Sequence, residues 1–63
     1  MLVLTRKPDE RVIIADKQTG EVICTVMLTR IQRKYGEVRL GFEADDNIDI
    51  WREEIWLKRQ GLD

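Results

Sequence analysis

The stretch "IDIWREEI", residues 48–55, decides what fold this chain can adopt. Two isoleucines flank Asp49, which is the alternation of a half-buried strand. Trp51 and Arg52 interrupt that alternation, and the acidic pair that follows them is typical of the first turn of a helix. A large aromatic ring and a lone arginine therefore stand at a predicted corner between a strand and a helix, and the rest of the sequence has to explain them.

Four further segments before this corner alternate with a period of two and are rich in β-branched residues, which predicts strands. The predicted strands are residues 1–7, 11–15, 21–34, 38–44 and 48–50, and the predicted helix is 52–60. Gly20 suits a hairpin turn, and Gly41 inside the fourth strand indicates a bulge or a close backbone approach. The predicted fold is mostly β: five short antiparallel strands and a C-terminal helix in a single domain, residues 1–63.

The third predicted strand has apolar residues on both faces, as a central strand would, or a strand covered by a partner. A chain of 63 residues buries only about 60% of its unfolded surface, so its core is marginal. Small domains usually recover stability through disulfides, metals or oligomerisation. Cys24 is the only cysteine, and the lack of histidine makes a zinc site unusual. Oligomerisation remains, and we expect an obligate dimer.

The side chains offer little chemistry for catalysis. The sequence has neither serine nor histidine, which excludes serine triads and Cys–His dyads. Cys24 lies between valines in a strand and is expected to be a small core residue. The acidic loop around Asp45 and Asp49 begins like an EF-hand, but Ile50 and Trp56 occupy the positions that need glycine and glutamate. We therefore expect no catalytic, metal or cofactor site, and a protein that is not an enzyme.

Charge is distributed unevenly over a chain whose net charge is only −1. Residues 1–40 hold eight Lys/Arg against five Asp/Glu (+3), and residues 41–63 hold three against seven (−4). A positive patch can therefore exist on a nearly neutral molecule. No stretch approaches the roughly 18 apolar residues of a membrane span, and the start does not resemble a signal peptide. With an unpaired cysteine, this predicts a cytoplasmic location.

Two segments, "MLVLTRKPDE" (1–10) and "VRLGFEADDNIDIWREEIW" (38–56), resemble the carbon storage regulator family, the CsrA/RsmA type of RNA-binding translational regulator. That family opens with Met-Leu-(Ile/Val)-Leu-Thr-Arg-(Arg/Lys), carries a Val-Arg-(Ile/Leu)-Gly block and continues into a strand followed by His-Arg-Glu-Glu. The matching segments cover about half of the chain, in the right order. Together they are specific, whereas either block alone would be moderately so.

The resemblance implies an intertwined homodimer whose sheets are shared between subunits, the first strand of one lying beside the fifth strand of the other. It also implies two identical sites, each built across subunits, that bind GGA triplets in hairpin loops of mRNA leaders and so control translation or mRNA stability. Family members are sequestered by small decoy RNAs or, in some lineages, bound by a flagellar assembly factor, and both are candidate partners here.

The same resemblance suggests which residues contact RNA. The principal arginine of the family corresponds to Arg52, whose guanidinium can stack on a base or fork onto phosphate or a guanine edge. Trp51 stands where the family usually has histidine, and an indole can also stack on a base. Leu4, Ile48 and Ile50 would supply apolar packing for bases, and Thr5 would supply a hydroxyl. Arg6 and Lys7 would mainly attract phosphate.

The chain departs from the family pattern in several places. Asp9 replaces a turn glycine, Asp45 replaces the proline after Ala44, and the middle segment from Asp16 to Glu37 is several residues longer than usual. The longer middle predicts extended central hairpins. Acidic residues near the proposed RNA pocket bear on affinity and RNA preference more than on the fold.

Other interpretations remain open from the sequence. Trp51 could be a core anchor or a subunit contact, and Arg52 could form a surface ion pair with Glu53 or Glu54. Two other classes of protein remain open. One is a swapped-hairpin DNA-binding transcription regulator, which also opens with short basic strands, and the other is a protein-interaction module that has lost RNA binding and docks a partner through the acidic loop and the end helix. A comparison of binding to a GGA hairpin and to duplex DNA separates the three classes.

Overall fold

The computed structural model of the protein describes residues 1–29 and 36–61. The elements follow one another in the predicted order, which confirms a mostly β fold with five strands and a C-terminal helix. They are β1 (Leu2–Arg6), β2 (Arg11–Asp16), β3 (Val22–Met27), β4 (Val38–Phe42), β5 (Ile48–Arg52) and α1 (Glu53–Arg59). The helix, seven residues long, is far too short to cross a membrane, and no other helix occurs in the described ranges.

The strands form two antiparallel sheets. In the smaller sheet β1 pairs with β4, with Leu4 opposite Leu40. In the larger sheet β2 lies between β3 and β5, with Ile14 opposite both Cys24 and Ile50. A register irregularity follows Ile14 in the pairing of β2 with β3. Within the described residues β1 and β5 each have a single paired neighbour, so each keeps one free edge.

The corner between β5 and α1 is tighter than predicted. The prediction ended the strand at Ile50, but Trp51 and Arg52 continue it, pairing with Ile13 and Val12. The reason is that β2 offers hydrogen-bonding partners for two further residues. Arg52 is at once the last residue of β5 and the cap of α1, with an extended backbone (φ −64°, ψ 136°), so no loop separates the strand from the helix.

The hydrophobic core of the described chain is concentrated on β2. Val12, Ile13 and Ala15 are the buried apolar side chains, and α1 has no buried residue. Ile13 and Ala15 lie on the face of β2 that α1 covers, and Val12 lies on the other, because side chains alternate along a strand. Three buried apolar residues are few, even for a chain of this size.

The third strand differs from its prediction. All six residues of β3 are exposed and the strand lies at the edge of its sheet, so the expectation of a central strand is wrong. Cys24 is exposed rather than in the core, because neither face of β3 is covered. Coverage by a partner stays a prediction. Positions 30–34, which complete the predicted segment, lie outside the described residues.

Two positions with positive φ account for tight turns. Gly20 has φ of 77°, as expected for the β2–β3 hairpin, where the Asp16 carboxylate accepts hydrogen bonds from two turn amides. Asp9 has φ of 71°, a left-handed conformation, at the position where the resemblance described above leads us to expect a turn glycine. Gly41 lies in a regular register, so the predicted bulge is wrong. The close approach there comes from the Met1 side chain, whose sulfur would lie 2.8 Å from a Cβ at this position.

Candidate nucleic-acid interface

The last residue of β1 reaches the first turn of α1 through a forked ion pair. Arg6 donates from Nη1 and Nη2 to the two carboxylate oxygens of Glu54, at 3.0 and 2.8 Å. It also donates to the carbonyl oxygens of Thr5 and Arg11, at 2.9 and 3.2 Å. The Arg6 side chain is only 4% exposed. Four of its five N–H donors are therefore committed to the protein, which leaves little of the guanidinium for a phosphate.

The forked pair changes the ionisation of both partners. Hydrogen bonding from Arg6 lowers the pKa of Glu54 from its usual 4.5 to about 2, and desolvation opposes this shift. Hydrogen bonding to Glu54 in turn raises the pKa of Arg6, again against desolvation. A charged form that is hydrogen-bonded to an opposite charge is favoured over the neutral form. The pair is thus fully ionised at neutral pH.

Arg52, at the end of β5, lies near the same carboxylate but is held far more loosely. Its Nε is 3.5 Å from Oε2 of Glu54, and its side chain is 44% exposed. The ion pair considered in the sequence analysis therefore exists, with Glu54 as the partner. Exposed pairs at such distances contribute about 0–1 kcal/mol to stability. The pair does not bury Arg52, whose side chain remains exposed.

Trp51 points away from the other β5 candidates. Since side chains alternate along a strand, Trp51 lies on the opposite face from Ile50 and Arg52. The guanidinium carbon of Arg59 lies 4.6 Å from the centre of the Trp51 ring, and Trp56 lines the same small cleft. A cation over an indole face is attracted by the ring quadrupole. Trp51 thus ties α1 to β5, and the face expected to stack on a base carries Arg59.

The remaining candidates lie along the outer surfaces of β1 and β5. Ile48 and Ile50 are partly buried and line a cleft of about 380 Å³ together with Leu2 at the start of β1. Both strands therefore begin at this cleft and end at Glu54, so they run in the same direction. Leu4 is half-buried, whereas Thr5 and Lys7 are exposed. Side chains alternate along β1, so Leu4 lies on the same face as Arg6, and Thr5 and Lys7 lie on the other face. We call the candidates of the two strands together the β1–β5 surface: Leu4, Thr5, Lys7, Ile48, Ile50 and Arg52.

Acidic residues border one end of the β1–β5 surface. Asp45 and Asp46 are exposed and line the cleft that Ile48 and Ile50 share. Asp49 lies 3.8 Å from the amino group of Lys17. The two cations of the surface, Lys7 and Arg52, lie at the opposite end, close to Glu10 and Glu54 respectively.

Glu54 is the functional candidate that sequence reasoning missed. The sequence suggests it as a surface partner of Arg52, yet its carboxylate also binds Arg6, which lies 48 positions away. Sequence patterns report neighbours three or four residues apart on a helix, but carry no signal for a contact between the two ends of the chain. Only the packing of β1 against the start of α1 brings these residues together.

Comparison with known proteins shows the family to which the chain belongs. Residues 1–60 match the CsrA global regulator protein family. The chain belongs to that family. It is 42% identical over 60 residues to the translational regulators CsrA of Geobacter metallireducens and Geobacter sulfurreducens, covering 95% of this chain and 67% and 66% of theirs. It is 41% identical over 58 residues to that of Hydrogenovibrio crunogenus, covering 92% and 71%.

These matches confirm the family recognised from the two motif segments. The chain spans about two thirds of the length of these curated relatives. No solved structure matches the chain significantly. The family is one of translational regulators rather than enzymes.

Proposed function

We propose that this protein is an RNA-binding post-transcriptional regulator that binds GGA motifs in hairpin loops of mRNA leaders and controls translation or mRNA stability. It acts without catalysis, because a protein that occupies a ribosome-binding site excludes the ribosome. The observation that carries the proposal is the exposed guanidinium of Arg52 at a loop-free strand–helix corner, in a chain of the CsrA family.

The geometry of Arg52 suits the recognition of guanine. Its backbone is held opposite Val12, a residue with no solvent exposure, so the base of the side chain cannot move easily. An arginine fork matches the two acceptors on the edge of guanine, and these edges are open in single-stranded loops. A rigid base and an accessible guanidinium favour a specific contact rather than general charge attraction.

The rest of the β1–β5 surface supplies complementary chemistry. Leu4, Ile48 and Ile50 offer apolar area against which unstacked bases can pack, and Thr5 offers a hydroxyl that can donate or accept a hydrogen bond. Lys7 is exposed and attracts phosphate without reading sequence. Proteins that bind single-stranded RNA commonly combine such apolar surfaces with flanking cations.

Two of the predicted RNA contacts are better assigned to support. The guanidinium of Arg6 is enclosed by Glu54 and backbone carbonyls, and the ring of Trp51 lies against Arg59. We propose that Arg6 holds the end of β1 against α1 and that Trp51 holds α1 against β5. Both then affect RNA binding through the shape of the site.

We further propose that the protein is a homodimer in which the first strands are exchanged, so that β1 of each subunit lies beside β5 of the other in the direction that the two strands share within one chain. A core of three buried apolar residues supports this, as do the free edges of β1 and β5 and the exposed apolar residues of β3. Light scattering is expected to give a dimer at all workable concentrations. A folded monomer near 7.5 kDa would contradict the dimer and the shared site.

A binding comparison tests the proposed function. Gel shifts at two salt concentrations would use a GGA hairpin, the same hairpin with the triplet replaced, and duplex DNA. Tighter binding to the GGA hairpin is expected at both concentrations. Equal binding to the two hairpins would reduce the interaction to phosphate contacts, and preference for duplex DNA would favour a transcription regulator. Absence of binding to all three would favour a protein-interaction module.

Bacterial translation takes place in the cytoplasm, so the proposed function places the protein there. Small RNAs that carry several GGA hairpins would compete with mRNA leaders for the same surface and so act as decoys.

A further inference from the structure

We propose that Glu54 is a positioning residue for RNA recognition: anchored on the buried Arg6, its carboxylate sets the direction of the Arg52 side chain. This inference rests on the proposed function, in which Arg52 contacts RNA, and adds a residue that makes no RNA contact itself. It also explains why a carboxylate lies beside a surface meant for a polyanion.

The argument begins with one shared oxygen. Oε2 of Glu54 accepts a hydrogen bond from Nη2 of Arg6 at 2.8 Å and lies 3.5 Å from Nε of Arg52. Arg6 also binds the other carboxylate oxygen, and such a fork fixes the plane of the carboxylate as well as its position. Glu54 is consequently a fixed acceptor rather than a mobile surface side chain.

The part of Arg52 that faces Glu54 matters as much as the distance. Glu54 lies against Nε of Arg52, and the two terminal amino groups carry the other four of the five donors of a guanidinium. Among the described residues, none accepts a hydrogen bond from the Arg52 side chain. Glu54 therefore restrains Arg52 at the donor nearest its stem and leaves the outer groups for a ligand.

The anchor itself is rigid. Arg6 is 4% exposed and is held by the carbonyl oxygens of Thr5 and Arg11 in addition to Glu54. Glu54 follows Arg52 by two residues across a corner without a loop. A long side chain loses rotamer freedom when it binds, and restraint in the free protein reduces that loss. The arrangement from Arg6 through Glu54 to Arg52 supplies such restraint.

The direction in which RNA affinity changes when the Glu54 carboxylate is removed distinguishes a positioning role from charge repulsion alone. A carboxylate near RNA repels phosphates, so its removal alone should strengthen binding. If Glu54 positions Arg52, its removal should weaken binding instead. Glu53 gives a matched control, because it is the adjacent acidic residue in the first turn of α1. It pairs with Arg11 at 3.5 Å and forms no ion pair with Arg6 or Arg52.

The experiment compares Glu54→Gln with Glu53→Gln in binding to a GGA hairpin. Glutamine keeps the size of the side chain but removes the charge and replaces one acceptor oxygen with a donor group. Glu54→Gln is expected to weaken binding by about threefold to tenfold, the range of coupling between residues in one ion-pair network. Glu53→Gln is expected to leave affinity within about twofold or to improve it slightly, because its partner Arg11 is not among the proposed RNA contacts.

A second comparison distinguishes positioning from a structural role. In an Arg52→Ala background, Glu54→Gln should cause a clearly smaller loss of affinity than in the wild type, because the side chain that it positions is gone and only its contact with Arg6 is affected. A merely structural defect would cause the same loss in both backgrounds. Circular dichroism and thermal melts would verify folding. If Glu54→Gln fails to fold, Glu54→Asp replaces it, since it keeps the charge but shortens the reach, and weaker binding is again expected.

The outcomes also separate this inference from the proposed function. Wild-type protein that prefers the GGA hairpin, together with a Glu54→Gln variant that matches Glu53→Gln, would overturn the positioning role and leave the function standing. Equal losses in the presence and absence of Arg52 would overturn it as well. Wild-type protein without preference for GGA would overturn both.

Discussion

The ends of β1 and β5 make an instructive pair, because each short strand finishes in an arginine and both arginines lie near Glu54. Arg6 is 4% exposed and forks onto the carboxylate, whereas Arg52 is 44% exposed and approaches it at 3.5 Å through one nitrogen. The same residue type, at the same place in an element, thus belongs to the interior in one case and to the surface in the other.

The residues next to these arginines show the reverse arrangement. Lys7 follows Arg6 and is exposed, while Trp51 precedes Arg52 and is covered by Arg59. At each strand end, therefore, one side chain is exposed to solvent and its neighbour packs against other residues of the protein. What decides between them is which face of the strand another element covers, and that depends on tertiary packing rather than on local sequence.

The largest expected effect tests the exposed arginine. Arg52→Ala should cost roughly 2–4 kcal/mol of binding to a GGA hairpin, the scale of a lost charged contact or bidentate base contact. The melting temperature should change little, because the ion pair of Arg52 is exposed. An RNA with two hairpins should lose more affinity than an RNA with one, since a dimer loses avidity. Calorimetry or gel shifts measure the affinity, and wild-type affinity would exclude Arg52 as an RNA contact.

The buried arginine should show the opposite profile. Arg6→Ala removes four hydrogen bonds and leaves a cavity at the end of β1, so it should lower the free energy of unfolding by about 2 kcal/mol, as expected for the loss of a largely buried charged partner. Urea unfolding measures this change. Arg11→Ala is the control: Arg11 is exposed and pairs with Glu53 at 3.5 Å, and its loss should cost no more than about 1 kcal/mol. Equal effects of the two variants would contradict the distinction.

The fold was largely predictable from local patterns. Period-two alternation located all five strands, and the acidic pair after Arg52 located the start of the helix within one residue. The failures were at β3 and at the end of β5. A strand with apolar residues on both faces can be central or can be an edge that needs a partner, and alternation does not distinguish these cases. The length of β5 was set by pairing with β2, a long-range property.

The site was predictable in a different sense. Motif resemblance named the candidate residues around the corner, but it could not show which of them the fold encloses. Arg6 and Trp51 needed the structure, since one is enclosed by residues from the other end of the chain and the other lies on the far face of β5. The pair of Glu54 with Arg52 had a local signal, but the contact of Glu54 with Arg6 had none, because Arg6 is 48 positions away.

A smaller effect is expected at Lys7, the exposed neighbour of Arg6. Lys7→Ala should weaken binding to GGA and control hairpins alike, because a phosphate contact carries no sequence information. The slope of log affinity against log salt should become shallower by about one unit for each RNA site that loses a phosphate contact. Stability should be unchanged, in contrast to Arg6→Ala. An unchanged slope would show that Lys7 faces away from the RNA.

The smallest expected effect is on the melting temperature at acidic pH, where Glu54 becomes protonated. The pKa of Glu54 is lowered to about 2 in the folded protein from 4.5, so ionised Glu54 favours folding fully above about pH 4.5. That contribution is lost as the pH falls towards 2, and it is modest because Glu54 is half exposed. Protonated glutamate resembles glutamine in size and charge. The difference in melting temperature between wild type and Glu54→Gln should therefore be constant above about pH 4.5 and should narrow towards pH 2. A difference that stays constant over this range would show that Arg6 gains nothing from the charge of Glu54.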